Sequence, residues 1–172
     1  MPTSSLQEIC LPLSGITLPR WQELPDLELY MDQVLSLISR YLGEYPGFDR
    51  KGLTASMVNN YVKAGVVPPP ARKKYSRSHL AHLIVVCILK TSLPLDAFRQ
   101  LLSVICEEKL TEDLYNRFCT LFEQATKASV TSFLADEPGE NLAVSLLRSA
   151  LRAQAEQAIA IRLFASAFPG TR

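Results

Sequence analysis

The sequence predicts an all-α, predominantly helical protein. Only seven glycines stand among 172 residues, while leucine and alanine are abundant. Apolar residues recur at three- and four-residue spacing along most of the chain, the period of a helix with one buried face. Prolines and glycines gather between those stretches, where they end helices and start turns. The length suits one domain, or one domain with a small appendage, and is enough to bury a core without staples.

Residues 1–22 show no clean period and contain Pro2, Pro12 and Pro19, so they read as an extended arm with Trp21 pinning its end to the core. Leu27, Tyr30, Met31, Val34, Leu35, Ile38, Tyr41 and Leu42 then predict a helix, with Asp26 as its cap and Gly43 as its stop. Residues 44–52 hold Pro46 and two glycines and read as a loop. Thr54 caps a short helix over 55–64, Gly65 suits the left-handed position after its end, and Pro68, Pro69 and Pro70 forbid continuation. Val66 and Val67, then residues 72–75, read as two short strands or an extended turn.

Ser76 caps a further helix over 77–91, with Leu80, Leu83, Ile84, Cys87 and Ile88 on one face. After Ser92 and Pro94, the residues Leu95, Phe98, Leu101, Leu102 and Ile105 make the next. Thr111 caps a helix carrying Leu114, Phe118, Leu121, Phe122 and Ala125, and the run from Asp136 to Gly139 breaks the chain. The last helix runs over 141–167. Its final dozen residues, 157–168, are apolar almost all round, which predicts burial in the core or against another subunit.

Charge is the feature that bears on function. Residues 50–90 hold eight basic side chains (Arg50, Lys51, Lys63, Arg72, Lys73, Lys74, Arg77 and Lys90) and no acidic one, whereas the rest of the chain holds ten basic and seventeen acidic ones. A net charge of +1 thus conceals a local field that attracts polyanions. The ordinary account of a basic run is a solvated face, so its setting decides.

Other chemistry finds little support. Cys10, Cys87, Cys106 and Cys119 form no C-x-x-C pair, and the last three fall on apolar helical stretches, so they read as reduced, buried thiols in a cytoplasmic protein. The first twenty residues lack the pattern of a signal peptide, and no apolar run reaches the length of a membrane span. His79 and His82 stand three apart on one helix, but two ligands make no metal site. Glu107, Glu108, Glu112 and Asp113 suit dipole compensation near Thr111. No nucleophile elbow, phosphate loop or zinc-protease motif is present, so no enzyme and no cofactor are expected.

The order of helix, tight turn, basic loop, helix and helix from Thr54 to Ile105 resembles the winged helix-turn-helix of MerR-type regulators. The run Leu53-Thr54-Ala55-Ser56-Met57-Val58-Asn59-Asn60-Tyr61-Val62-Lys63-Ala64-Gly65-Val66-Val67-Pro68 is similar to that family's recognition helix, with its Ser/Thr cap, its aromatic near the end and its closing Gly-apolar-apolar-Pro turn. Tyr75-Ser76-Arg77-Ser78-His79-Leu80 is similar to the cap after the wing, and the run from Ser92 to Leu102 resembles the next helix. Asn59 stands where the family has an arginine, and Asn60 where it has the first of two tyrosines. Together with Leu29-Tyr30-Met31-Asp32-Gln33-Val34, the chain also resembles a bacterial domain group of unknown function.

The MerR resemblance implies a cytoplasmic transcriptional regulator that binds double-stranded DNA. The residues themselves suit that role. Asn59 and Asn60 can read adenine, and Ser56 can bond to a base or a phosphate. Lys63 and the Arg72-Lys73-Lys74 wing, with Arg77, would neutralise phosphates. Thr54 opens this face. Tyr61 either donates to a phosphate or packs inward. The expected organisation is an arm over 1–22, the winged helix-turn-helix over 23–106, and a helical region over 107–172. That last region would form a homodimer and could hold a pocket for an effector of unknown chemistry. The alternative from another class is a protein–protein interaction module built on the same fold, its basic surface meeting an acidic partner.

Overall fold

In the computed structural model, residues 5–46, 48, 52–105, 110–135 and 141–168 are described. Their element order is α1 (Leu6–Cys10), two 3-10 turns (Leu11–Gly15 and Trp21–Glu23), α2 (Met31–Leu42), α3 (Ala55–Lys63), α4 (Arg77–Leu89), α5 (Leu95–Ile105), α6 (Glu112–Ala135) and α7 (Leu142–Ala167). Among the described residues no strand forms, only two isolated antiparallel bridges, so the fold is helical as the sequence predicts. The chain divides into two compact units, Ile16–Gln124 and a second made of Met1–Gly15 with Ala125–Arg172.

The first unit is organised by α4. Nine consecutive residues, Leu80 to Ile88, are buried, so this helix is surrounded on all sides. A helix can tolerate that only if its side chains are apolar all round, and here His82 is the one polar member. Val34, Ile38 and Leu42 of α2, at four-residue spacing, join the same core. Val58 and Tyr61 of α3, Phe98 of α5, and Tyr115 and Cys119 of α6 complete it. Burial lifts the Cys87 thiol to about 11, consistent with an inert apolar role.

The segment before α2 is stitched to α6. The Tyr115 hydroxyl donates to the Pro19 carbonyl at 2.8 Å, and the Trp21 amide donates to Asn116 Oδ1 at 2.9 Å. Arg20 pairs with Glu123 and donates to the Asn116 carbonyl. The Trp21 ring meets Tyr115 edge-on, with centroids 6.1 Å apart, which is the anchoring the sequence suggests.

Helix α2 begins later than its periodicity predicts. Leu27 and Tyr30 are exposed and Asp26 caps nothing. Asp26 and Leu27 instead form a bend, and the chain is extended at Leu29 and Tyr30: the Leu29 amide donates to the Tyr75 carbonyl at 2.9 Å, and the Tyr75 amide returns the bond at 2.8 Å. The cap of α2 is supplied by Gln33, whose side-chain oxygen accepts from the Tyr30 amide.

In the second unit, Ser5 and Glu8 form a reciprocal capping box on α1, and Asn141 Oδ1 accepts from the Val144 amide to cap α7. Among the described residues of this unit, only Val130 and Ser145 are buried. The terminal apolar helix, expected to be covered, lies largely open in a single chain.

Candidate nucleic-acid interface

Helix α3 is short because local chemistry fixes both ends. Thr54 Oγ1 accepts from the Met57 amide at 3.2 Å, a cap worth about 1 kcal/mol. At the other end Gly65 adopts φ +71°, and its amide donates to the Val62 carbonyl at 3.0 Å. The Val66 and Val67 amides donate to the Tyr61 carbonyl, and their side chains plug the core. Pro68 follows and the helix cannot resume.

The nine residues of α3 divide cleanly. Val58 and Tyr61 point inward and anchor the helix. Ser56, Asn59, Asn60 and Lys63 are exposed, at spacings of three and four, and so share one outward face, with exposed Thr54 at its start. The two open readings of Tyr61 divide here: its ring is buried with 8 % exposure, and burial raises its phenol above the usual range. It supports the face from behind.

The segment expected to form a wing is a tight turn rather than a pair of strands. Lys74 N–H donates to the Ala71 carbonyl at 2.9 Å, closing a four-residue turn. Its two central residues, Arg72 and Lys73, have φ of 52° and 63°. Turns with positive φ at both centres normally use Asn or Gly. For L-residues with long side chains this conformation costs roughly 1–2 kcal/mol each. Both side chains are exposed and, among the described residues, neither makes an ion pair. The turn holds two free cations at a strained tip.

The other two basic residues of the wing are engaged within the chain. The Lys74 ammonium lies 3.1 Å from Glu28 and 5.8 Å from the centre of the Tyr30 ring, and its pKa is raised by the hydrogen bond to Glu28. Arg77 Nε donates to the Leu24 carbonyl at 3.0 Å, with Asp26 at 3.7 Å. They fasten the non-helical 24–30 segment to the base of this turn. Sequence reasoning missed Glu28, Tyr30 and Leu24 in this role, since nothing local marks partners that far apart in the chain.

The two histidines stiffen the same region. His79 Nδ1 accepts from the Ser76 amide at 3.0 Å and lies 2.8 Å from Ser76 Oγ, while Nε2 faces the Pro69 carbonyl at 3.4 Å. This requires a neutral ring with its proton on Nε2. It ties the start of α4 to the proline run before the wing, and Tyr75 packs edge-on against it. His82 Nδ1 donates to the Ser78 carbonyl at 2.7 Å, so this ring carries its proton on the other nitrogen. Burial lowers the pKa of both.

Of the ten residues marked by the sequence, the structure therefore leaves Thr54, Ser56, Asn59, Asn60, Lys63, Arg72 and Lys73 exposed. It turns Tyr61 inward and occupies Lys74 and Arg77 with internal partners. Arg50 and Lys51 lie outside the described residues, and Lys90 sits half-buried after α4. Among the described residues no group of His, Cys, Asp and Glu is arranged to hold a metal, and no helix is long and apolar enough to cross a membrane.

A family model described as a domain of unknown function, DUF1836, matches residues 19–118. That span takes in the stitched segment, α2 to α5, the wing and the start of α6. No curated protein and no solved structure gives a match.

Proposed function

We propose that this chain, which belongs to the DUF1836 family, binds double-stranded DNA through the outward face of α3 and the tip of the wing, as a transcriptional regulator of MerR-like, winged helix-turn-helix type. The observation that carries the reading is the pairing of one exposed polar stripe, Ser56-Asn59-Asn60-Lys63, with a strained turn that presents Arg72 and Lys73 unpaired. Backbone strain persists where the surroundings over-determine it, and it gathers at functional sites. Two asparagines can each offer a donor and an acceptor to a base edge, and the three free cations can hold flanking phosphates.

Helix α3 is about 14 Å long, enough to cross a major groove about 12 Å wide but too short to read many bases. A second copy would supply the second half-site. Helix α7 offers the surface for it. Eight large apolar side chains on it are 42–69 % exposed. They are spread round the helix, so a partner copy would cover those on one side.

The test is binding of a labelled mixed-sequence duplex as salt is raised. Each neutralised phosphate contributes about −0.9 to the slope of log K against log salt, so Lys63, Arg72 and Lys73 give about −2.7 per chain and roughly −5 for a dimer. Absence of binding at low salt, or a flat salt profile, overturns the proposal. Retention of an acidic protein partner after nuclease treatment would instead favour an interaction module.

A further inference from the structure

We propose that Arg99, on α5, is a further phosphate-contacting residue of the α3 surface. This rests on the reading of α3 as a DNA-facing helix and adds to it a residue outside both the basic block and the wing.

Gly65 closes α3 with φ +71°, and a Cβ built there would meet Arg99 Cδ at 3.5 Å. The stem of Arg99 therefore lies across the turn that ends α3. Its guanidinium begins one bond beyond Cδ, beside a turn that starts two residues after Lys63. The placement is firm, because the neighbouring Ala97 and Phe98 are buried and fix that turn of α5. The side chain itself is exposed. Asp96 stands three residues earlier on the same helix, yet it makes no ion pair with Arg99, nor does any other carboxylate among the described residues.

Two cations at one end of a helix, neither ion-paired among the described residues, leave a place for an anion. A helix about 14 Å long in a groove about 12 Å wide brings its ends to the flanking backbones. Lys63 and Arg99 then face the same backbone, and the planar fork of an arginine can hold a phosphate through two parallel hydrogen bonds. The plain alternative is that Arg99 only offsets the negative end of the α3 dipole. That role would appear in stability and leave the salt dependence unchanged.

The experiment compares the full chain with Arg99→Gln and Arg99→Lys on a labelled mixed-sequence duplex of roughly 21 base pairs, two helical turns. Arg99→Gln is expected to weaken binding about three- to ten-fold at low salt and to shallow the slope by about 0.9 per chain. Arg99→Lys, which keeps the charge, is expected to keep the slope. Melting midpoints of both variants should match the parent. If the parent binds and Arg99→Gln binds with the same affinity and slope, Arg99 is no contact, whether or not its melting midpoint falls. If the parent itself does not bind, the reading of α3 fails and this inference falls with it.

Discussion

The two units of this molecule treat similar apolar helices in opposite ways. In residues 16–124, α4 is buried over nine successive positions and every neighbouring helix contributes to the same core. In the unit of residues 1–15 and 125–172, α7 is twice as long, and Ser145 is its only buried residue. Large exposed apolar patches are rare on monomers, which is the ground for the proposed pairing of two copies through α7. The first unit buries its apolar helix within itself, whereas the second leaves α7 largely open. A substitution in each should separate them. Leu83→Ala, at a site with no exposure, is expected to cost about 2–5 kcal/mol in denaturant unfolding. Leu151→Ala, at 62 % exposure, is expected to stay within about 0.5 kcal/mol for an isolated chain but to weaken self-association in sedimentation. Equal losses of stability, with a parent that sediments as a monomer, would erase the contrast.

How far the sequence revealed this follows from the range of each signal. The ends of α3 were legible because Thr54, Gly65 and Pro68 act on backbone within a few residues, and the observed helix ends one residue short of its expected limit. The outward face of α3 was legible from its period. The start of α2 was not. Leu27 and Tyr30 fit a helical repeat, yet pairing of Leu29 with Tyr75 keeps the segment out of a helix, and no local pattern reports a bridge between such distant residues. The wing residues divided for the same reason: Lys74 and Arg77 look like Arg72 and Lys73 until Glu28 and the Leu24 carbonyl are beside them. For α7, composition signals a need for burial without naming the partner.

The first unit should also be the acid-sensitive one, since both histidines lie in it. Burial lowers His79 and His82 below their ordinary 6.5, so the unfolded chain binds protons first as pH falls. Their neutral forms leave stability at its full value above about 6.5, and it declines as pH drops through that value toward their folded pKa values. Protonated His79 could no longer accept from the Ser76 amide, so the wing base should loosen in the same window. Melting midpoints recorded from neutral to mildly acidic pH should fall for the parent and fall less for His79→Gln, a change that removes one of the two titrating groups. An identical profile for both would show that the His79 contacts carry no pH-linked stability.

The smallest effect concerns the tip of the wing, where stability and binding should move in opposite directions. Lys73 sits at φ 63°, a conformation glycine adopts freely. Lys73→Gly removes the steric cost of roughly 1–2 kcal/mol, while the greater freedom of glycine in the unfolded chain returns about 0.4–1 kcal/mol of it. The net expectation is a gain of about 0.5–1 kcal/mol in denaturant unfolding. The same change removes one free cation, so duplex affinity should fall and the salt slope should shallow by about 0.9 per chain. Ala71→Gly, in the same turn but uncharged and outside the strained pair, serves as the control and should alter neither slope nor affinity. A Lys73→Gly variant that is more stable and binds as well as the parent would mean that the strain is not kept for the charge it presents. Loss of both stability and binding would mean that Lys73 holds the turn in place by its packing, and the separation between scaffold and contact residues drawn for this wing would have to be moved by one position.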